Sequence, residues 1–532
     1  MAETPVVDEK AVARDGTVVR PDGETGQRFF TNPVLPGFHP DPSICRVGED
    51  YYLAVSSFEY FPGVPLFHSR DLVHWRSISH ALTRRSQLDL AGRPCSQGIF
   101  APTLRQHAGR FYLITTDVGG TGNFFVTAED PSGPWSEPVF VDRGCFDPSL
   151  FFDDDGRVYY TRRECGVIVQ AEIDLGTGRL RHPVRRIAGP FASSDAEGPH
   201  LYKINGWYYL VCAEGGTGYG HMVTVGRSRS PWGPFAGCPW NPILTHRHLV
   251  PHAIRYTGHG DLVEAFDGSW WMVFLGTRHN PKFGYNFHVM GRETFLAPVE
   301  WRDGWPVVNG GNPVELQMRA PSLPPHPWPE PPDREQFRDG SFGPEWTFLR
   351  TPPRDGAVCF VPSGGLILQG TAENLDAAGS PAFVGRRQTD HHFCARTQVC
   401  FAPDAPGEEA GLTILQSNQF HIEICLRREA DGLWLVTRRR LLDLSVETTR
   451  KRWPAEEAVL GVRGDYSSYT FLAGTDEGAL AVVDRCPLRF LSTELATGWT
   501  GVVLGPYATG NGRACVAPAT FPWFEYRGND AL

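Results

Sequence analysis

The sequence predicts an all-β protein in which a five-bladed β-propeller is followed by a jelly-roll-like β-sandwich. Three observations support this fold class. A hairpin pattern recurs five times in the N-terminal half, at a period of roughly 45 to 60 residues. The pattern stops at a proline-rich segment, and alternating apolar strands without that repeat follow it. Glycine (58) and proline (45) are abundant and helical periodicity is almost absent, which favours short strands and turns.

The first segment, residues 1–28, is predicted to be a polar tail. It contains no apolar stretch of the kind that a secretory signal carries. Twelve scattered cysteines, with no Cys-x-x-Cys pair, are expected to be reduced, and together these features predict a cytoplasmic protein. The net charge of -10 comes without a basic patch, which argues against a nucleic-acid partner. No apolar run is long enough to predict a membrane span.

The next segment, residues 29–320, is predicted to form the propeller. Each repeat has a short upstream strand, a polar turn that usually contains glycine, and an aromatic, apolar strand. The five hairpins are GEDYYLAVSS from Gly48, AGRFYLITTD from Ala108, DGRVYYTRRE from Asp155, NGWYYLVCAE from Asn205 and DGSWWMVFLG from Asp267. Both members of the pattern recur together, five times in order. This favours a propeller over an ordinary β-sandwich with chance similarities.

One position of the repeat is expected to converge on the central channel, because the first strand of each propeller blade lines it. The residues at that position are Asp41, Ala101, Asp147, Glu197 and His259. Four of the five are ionisable, and burying an unpaired charge costs several kcal/mol. Each of them alone could be a turn cap or a satisfied core residue. Together, three carboxylates and a histidine indicate an acid–base site.

Paired carboxyl groups are typical of glycoside hydrolysis, which needs one protonated and one ionised carboxyl at the scissile bond. The sequence has no HExxH zinc site, no GxSxG elbow and no GxxxxGK[ST] phosphate loop. DDDG at 153–156 resembles the start of a calcium loop, but the later ligands are missing and the segment coincides with a hairpin turn. Several aromatic residues near strand ends either stack on sugar rings or pack the blades: Phe58, Tyr60, Phe61, Phe100 and Tyr219.

Several motifs, in order from Asn32 onward, resemble glycoside hydrolase family 43. They are PGFHPDPSICR around Asp41, GIFAPTL around Ala101, CFDPSLF around Asp147, AEGPHLY around Glu197, GHGDLVE around His259 and GRETFLAPVEWRDGWPVV from Gly291. The chain is most similar to the bacterial β-xylosidases of that family that carry an extra C-terminal β-sandwich. The resemblance covers almost the whole chain and implies a five-bladed propeller with inverting hydrolysis.

The resemblance also implies a role for each matching residue. Asp41 corresponds to the general base, Asp147 to the residue that tunes the pKa of the acid, and Glu197 to the general acid. Asp147 is expected to raise the pKa of Glu197 through its negative charge. His259 and Arg292 correspond to supporting residues in contact with the substrate.

The predicted activity is exo-acting release of xylose from the non-reducing ends of β-1,4-xylo-oligosaccharides, with α-L-arabinofuranosidase activity as an addition. An enzyme that acts mainly on arabinofuranosides and a non-catalytic carbohydrate-binding propeller stay open as alternatives. Phe100 stands where the family usually has tryptophan before Ala-Pro, which leaves the sugar preference open. The expected partners are xylo-oligosaccharides or arabinose-bearing oligosaccharides, and homo-oligomerisation stays open. No cofactor is required, but a divalent cation such as calcium in the channel near His259 stays open.

The C-terminal part begins with a predicted linker, residues 321–335, which is rich in proline. Residues 336–532 show alternating apolar runs at short spacing, which predicts the β-sandwich. In the resembled branch of the family the sandwich packs on the propeller, and we expect it to do so here and to close one end of the groove. Binding of polysaccharide by the sandwich stays open as an alternative. Within it, GVVLGPYATGNGR at 501–513 is expected to be a glycine-rich loop that carries Tyr507 into the pocket, with an ordinary surface turn as the alternative.

Overall fold

The structure is a computed structural model that describes residues 28–279, 287–352 and 356–528, and these residues are almost entirely β-structure. The all-β prediction is confirmed. The predicted tail, residues 1–28, lies outside the described residues except for Arg28. Within the described ranges, no helix has both the length and the apolar character needed to span a membrane.

Five antiparallel sheets form the five blades of the propeller. Blade 1 consists of Ser43–Val47, Asp50–Ala54, Gly63–Ser69 and Arg76–Leu82. Blade 2 consists of Gly98–Ile99, Thr103–His107, Arg110–Val118, Gly122–Ala128 and Val139–Asp142. Blade 3 consists of Ser149–Phe152, Val158–Glu164, Val167–Asp174, Arg179–Leu180 and Arg185–Ala188. Blade 4 consists of Glu197–Ile204, Trp207–Glu214, Met222–Ser228 and Ala236–Gly237. Blade 5 consists of Ile254–Glu264, Trp270–Arg278, Glu293–Arg302 and Trp305–Val308.

The repeated turns of the sequence connect paired neighbouring strands near the start of each blade, as the hairpin pattern predicts. Gly48, with φ of 63°, and Gly156, with φ of 82°, show why the turns contain glycine, since residues with a Cβ atom rarely adopt this conformation. The chain enters the propeller through Phe29–Thr31, which pairs antiparallel with Gln317–Arg319. This pairing connects the N-terminal and C-terminal ends of the propeller by backbone hydrogen bonds.

Two nine-stranded sheets form the sandwich. The first sheet contains Arg334–Glu335, Val358–Phe360, Leu366–Leu368, Phe393–Cys400, Glu457–Gly464, Ser468–Gly474, Ala481–Pro487, Ala519–Phe521 and Phe524–Gly528. The second sheet contains Tyr60–Phe61, Trp346–Leu349, Ala382–Phe383, Gly385–Arg387, Glu409–Ser417, Phe420–Glu429, Gly432–Leu441, Leu444–Arg452 and Val503–Thr509. The described helices are single turns: the 3₁₀ segments Asn309–Gly311, Glu477–Ala479 and Leu488–Leu491, and the α-helix Thr493–Ala496.

The propeller and the sandwich share one sheet. Tyr60–Phe61 follows the second strand of blade 1 and pairs with Trp346–Leu349 of the sandwich, so that Phe61 lies opposite Phe348. Beside this pairing, the fully buried Arg350 donates from Nε to the carbonyl oxygen of Arg93 at 2.6 Å. Backbone hydrogen bonds and the buried guanidinium of Arg350 therefore hold the sandwich against the propeller.

The proline-rich connection is extended and lies against blade 1. The backbone N–H of His326 donates to Asp71 Oδ2 at 2.8 Å, and Trp328 Nε1 donates to the carbonyl oxygen of His74 at 3.1 Å. The guanidinium of Arg76 lies over the Trp328 ring, 3.9 Å from its centroid. These contacts hold the connection against blade 1. The prolines restrict its backbone and favour the extended conformation.

Candidate active site

A small pocket lies between the propeller and the sandwich, and every blade contributes to its wall. Its volume is about 160 Å³, which is below the ~300–1,000 Å³ of sites for drug-sized ligands. The pocket brings together these residues of the sequence analysis: Asp41, Phe58, Phe100, Ala101, Asp147, Glu197, His259 and Arg292. The five equivalent positions of the repeat therefore all line this one pocket, as predicted.

Two of the carboxylates stand on unusual backbone. Asp41 lies two residues before Ser43–Val47, the first strand of blade 1, and has a φ of 54°. Asp147 lies two residues before Ser149–Phe152 of blade 3 and has a φ of 59°. Few residues other than glycine adopt positive φ, and aspartate is among the more tolerant. Each is followed by a proline, which restricts the next backbone angle. Backbone strain of this kind persists where the surroundings impose it, and it clusters at functional sites.

The carboxylate of Asp41 is buried and held by three partners. Ser56 Oγ donates to Oδ2 at 2.6 Å, and Arg292 Nη1 donates to Oδ1 at 2.9 Å. His259 Nδ1 lies 3.8 Å from Oδ1. Burial alone would raise the pKa of Asp41, but Arg292, His259 and Ser56 together outweigh it and lower the pKa below its ordinary value. Asp41 is therefore an ionised acceptor.

Glu197 is tuned in the opposite direction. Burial raises its pKa to about 7, with Arg163 opposing this effect and the negative charge of Asp41 adding to it. Asp147 accepts the backbone N–H of Gly198 at 3.0 Å, next to Glu197 in the chain. Burial, together with the charges of Glu197 and Asp41, raises the pKa of Asp147 itself well above its ordinary value. Burial is thus the largest cause of the raised pKa of Glu197, and the contribution expected from the charge of Asp147 stays a prediction.

Sequence reasoning missed two charged residues near Glu197. Arg163 Nε lies 4.0 Å from Glu197 Oε2, and Arg163 Nη2 donates to Asp195 Oδ1 at 3.1 Å. The guanidinium of Arg163 also lies over the ring of Phe146, 4.7 Å from its centroid. The available signal was the pair of arginines in YTRRE, at the end of a strand that is aromatic and apolar in the other repeats.

Three phenylalanines form one wall of the pocket. The rings of Phe58 and Phe100 lie 4.9 Å apart, and those of Phe100 and Phe146 lie 5.6 Å apart. The Arg292 guanidinium lies 5.5 Å from the centroid of Phe58. Tyr219, also expected at the site, lies instead in a neighbouring cavity of about 290 Å³ that is also lined by Arg292.

The prediction for Tyr507 is wrong. Residues Val503–Thr509 form a strand inside the sandwich rather than a loop, and it pairs with Glu409–Ser417. Tyr507 is buried in the core, with its hydroxyl 3.5 Å from Glu409 Oε1. The glycines of this segment serve close packing: a Cβ atom on Gly505 would lie 2.0 Å from the carbonyl oxygen of Val384. Tyr507 therefore packs behind the pocket wall and does not reach the pocket.

The sandwich reaches the pocket through Trp499 instead. The backbone N–H of Trp499 donates to Ser96 Oγ at 2.8 Å, and its ring centroid lies 5.7 Å from the Arg292 guanidinium. Gly501 makes this approach possible, because a Cβ atom there would lie 2.3 Å from the carbonyl oxygen of Met290. The signal in the sequence was an aromatic residue between two glycines, in GWTG at 498–501, which ends at the first residue of the predicted loop.

Comparison with known proteins places this architecture in a family. The profile of Glycosyl hydrolases family 43 matches residues 30–306. The chain belongs to glycoside hydrolase family 43. A second profile, of the Beta xylosidase C-terminal Concanavalin A-like domain, matches residues 334–527, which are the sandwich. The resemblance on the sequence motifs is confirmed, and so is the order of propeller and sandwich.

Individual relatives match this family 43 chain over nearly their full length. It is 42% identical over 507 residues to the Non-reducing end alpha-L-arabinofuranosidase BoGH43B of Bacteroides ovatus, covering 94% of this chain and 95% of the relative. It is 38% identical over 508 residues to a Xylosidase/arabinosidase of Butyrivibrio fibrisolvens, with coverage of 91% and 96%. Two solved structures superimpose closely. The Bacteroides ovatus Xyloglucan PUL GH43B gives a TM-score of 0.91 at 42% identity, covering 94% of this chain and 100% of that one. The xylan beta-1,4-xylosidase from Bacillus halodurans gives 0.88 at 34% identity, covering 93% and 99%.

Proposed function

We propose that this chain is an exo-acting, inverting glycoside hydrolase that releases xylose from the non-reducing ends of β-1,4-xylo-oligosaccharides. The observation that carries the proposal is the opposite tuning of two carboxyl groups that line one pocket. The pKa of Asp41 is lowered, whereas burial raises the pKa of Glu197 to about 7. Near neutral pH, one group can accept a proton while the other can donate one, as inverting hydrolysis requires.

In the proposed mechanism, Asp41 is the general base. Ser56 and Arg292 hold its carboxylate oxygens, so that it accepts a proton from water as that water attacks the anomeric carbon. Glu197 donates its proton to the glycosidic oxygen as the carbon–oxygen bond breaks. Asp147 acts as a positioning residue, because it holds the backbone N–H of Gly198 beside the acid. The new carbon–oxygen bond forms on the face opposite to the leaving group, which inverts the configuration.

The dimensions of the pocket support action at a chain end. A volume of about 160 Å³ suits one sugar ring better than a segment of polysaccharide. Phe58 of the propeller and Trp499 of the sandwich both line it. The sandwich thus narrows a groove that the propeller alone would leave more open.

A second activity, release of α-L-arabinofuranose, has its own support. The relative that is 42% identical is named a non-reducing end α-L-arabinofuranosidase, and the one that is 38% identical is named a xylosidase/arabinosidase. The two activities are separated by comparing kcat/KM for nitrophenyl β-D-xyloside and nitrophenyl α-L-arabinofuranoside. We expect turnover of both, with the xyloside preferred. A preference of more than tenfold for the arabinofuranoside would make that activity the main one.

The base is tested with Asp41→Asn, which keeps the shape of the side chain but removes the proton acceptor. We expect kcat on either substrate to fall by about 10²–10⁴-fold, the contribution typical of general acid–base catalysis. Asp155→Asn is the matched control, since Asp155 lies at an exposed hairpin turn and its change should leave kcat unaltered. An Asp41→Asn variant with near wild-type turnover would show that another residue activates the water.

The stereochemistry gives an independent check of inversion. Proton NMR during xylobiose hydrolysis should detect α-xylose as the first product from the non-reducing end, before mutarotation. An initial β anomer would indicate a covalent glycosyl–enzyme intermediate and would contradict the role of Asp41 as a base.

A further inference from the structure

A second cluster of chemically active side chains lies next to the pocket, where blade 5 faces the sandwich. His279 and His288 flank residues 280–286, and Glu494 belongs to the short helix Thr493–Ala496 of the sandwich. The potential ligand atoms of the three side chains all lie within 4.8 Å of one another. Both histidines are buried. The mechanism proposed above uses none of these three residues.

The carboxylate of Glu494 is held in place by the backbone of the propeller. Oε2 accepts the backbone N–H of His288 at 3.0 Å, and Oε1 lies 2.8 Å from His288 Nδ1. In return, the backbone N–H of Thr493 donates to the carbonyl oxygen of His288 at 3.1 Å. Glu494 therefore has a fixed orientation, with Oε1 directed at the two imidazole rings.

The hydrogen bonds around His279 are compatible with a proton on Nδ1. Thr277 Oγ1 lies 3.2 Å from the carbonyl oxygen of Arg255, which can only accept, and 3.1 Å from His279 Nδ1. When the hydroxyl donates to that carbonyl, Nδ1 must donate to the hydroxyl oxygen, and Nε2 then carries a lone pair. This arrangement is the usual one for a metal-binding histidine, whose second nitrogen is held by a hydrogen bond.

The other nitrogen of His279 is left in an unfavourable position. Nε2 is buried, and among the described residues it has no hydrogen-bond partner. It lies 3.4 Å from Glu494 Oε1, so with the proton on Nδ1 a lone pair faces a carboxylate oxygen. A cation between the two atoms would relieve this contact.

We propose that His279, His288 and Glu494 bind a divalent transition-metal ion, with Zn²⁺ as the best match. Two imidazoles and one glutamate form a common set of three protein ligands for zinc, with water in the fourth position. Bond lengths of about 2.0–2.2 Å in a tetrahedral site imply ligand atoms roughly 3.3–3.5 Å apart. The distance of 3.4 Å between His279 Nε2 and Glu494 Oε1 falls in this range. His288 Nδ1 lies only 2.8 Å from Glu494 Oε1, a hydrogen-bond distance, so a bound ion would replace that hydrogen bond and move the two atoms apart by a few tenths of an ångström. Calcium is a poorer match because it prefers six to eight oxygen ligands.

The position of the site suggests what the ion does. Two ligands come from the propeller and one from the sandwich, so a bound ion links the two domains. Glu494 precedes Trp499 by five residues, and both line the neighbouring cavity of about 290 Å³. That cavity gives the ion an entry route and room for a water ligand. The ion would thus fix the segment that carries Trp499 to the pocket.

The proposal is tested on the untagged full-length protein after dialysis against EDTA. Isothermal titration with Zn²⁺ should show one site per chain, and zinc should raise the midpoint of thermal unfolding by at least about 2 °C. Cobalt(II) should give the visible absorption of a tetrahedral complex. His279→Gln and Glu494→Gln should each lose the site, whereas His248→Gln, at an exposed histidine, should retain it. Circular dichroism shows whether each variant is folded.

Two results would overturn the proposal. One is the absence of zinc binding to the wild-type protein up to about 100 μM, far above the dissociation constants of structural zinc sites. The other is equal binding by wild type and by folded His279→Gln and Glu494→Gln, which would assign the zinc to another part of the surface. In either case, the three side chains would form a hydrogen-bonded contact between the domains without a metal.

Discussion

Removal of the Trp499 side chain tests whether the sandwich forms part of the active site. Trp499→Ala leaves the backbone donor to Ser96 in place, because that hydrogen bond uses the main-chain N–H. Trp499 is 42% exposed, so more than half of the residue packs against its neighbours and its truncation also lowers stability. We therefore expect a defect in substrate binding in a variant that stays folded, which circular dichroism checks.

The size of the effect follows from the area that a sugar can cover. The side chain of tryptophan has a surface of up to about 250 Å², so the exposed 42% corresponds to about 100 Å². At about 25 cal/mol per Å², complete coverage by substrate contributes about 2.5 kcal/mol, and half coverage about 1.3 kcal/mol. Since about 1.4 kcal/mol is a factor of ten, kcat/KM should fall by roughly 10- to 60-fold.

The assay is steady-state hydrolysis of xylobiose and xylotriose, with KM and kcat determined separately. The loss should appear mainly in KM, since the ring contributes to binding and not to proton transfer. Trp499→Phe should retain part of the affinity. Tyr507→Phe, which removes one buried hydroxyl behind the pocket wall, should have wild-type kinetics. Trp499→Ala kinetics within twofold of wild type on both substrates would refute a role for this residue at the site.

Three further predictions concern the acid and the base. Glu197→Gln should reduce kcat on xylobiose by about 10²–10⁴-fold but should be milder on a nitrophenyl xyloside, whose leaving group needs little protonation; equal losses on both substrates would contradict the role of Glu197 as an acid. With xylobiose, kcat/KM should fall as the pH rises through about 7, because burial raises the pKa of Glu197 to that value and the acid must stay protonated; a profile that stays flat to about pH 9 would contradict this. Arg292→Gln should move the acidic limb of the profile to higher pH, since Arg292 is the largest influence that lowers the pKa of Asp41; an unchanged acidic limb would show that Arg292 does not tune the base.

The propeller could be predicted because its information is local and repeated. Each blade needs its own polar turn, as at Gly48 and Gly156, and an aromatic strand after it, so the pattern appears five times in the sequence. The convergence of Asp41, Asp147 and Glu197 then follows from symmetry, since equivalent positions of a propeller meet at one axis. Motif resemblance added Arg292, which lies outside the repeat position.

The electrostatic partners of these residues could not be predicted in the same way. Ser56, just after the second strand of blade 1, acts on Asp41. Arg163, in the second strand of blade 3, acts on Glu197. At these places, sequence spacing does not show which side chains point towards the pocket. The effect of burial on the pKa of Glu197 could not be predicted either. A negative neighbour can be inferred from a motif, but burial depends on how the whole wall packs, and burial is the larger effect.

Tyr507 and Trp499 show why the sequence does not identify the residue through which the sandwich contributes to the pocket. Glycines mark either a loop that needs positive φ or a close approach of two backbones, and the sequence does not distinguish the two. At Gly505 the close approach is to a neighbouring strand of the sandwich, so Tyr507 is buried. At Gly501 it is to Met290 of the propeller, so Trp499 is carried to the pocket. The contact between Gly501 and Met290 joins segments about 200 residues apart in two different domains. It therefore becomes visible only once one domain is packed on the other.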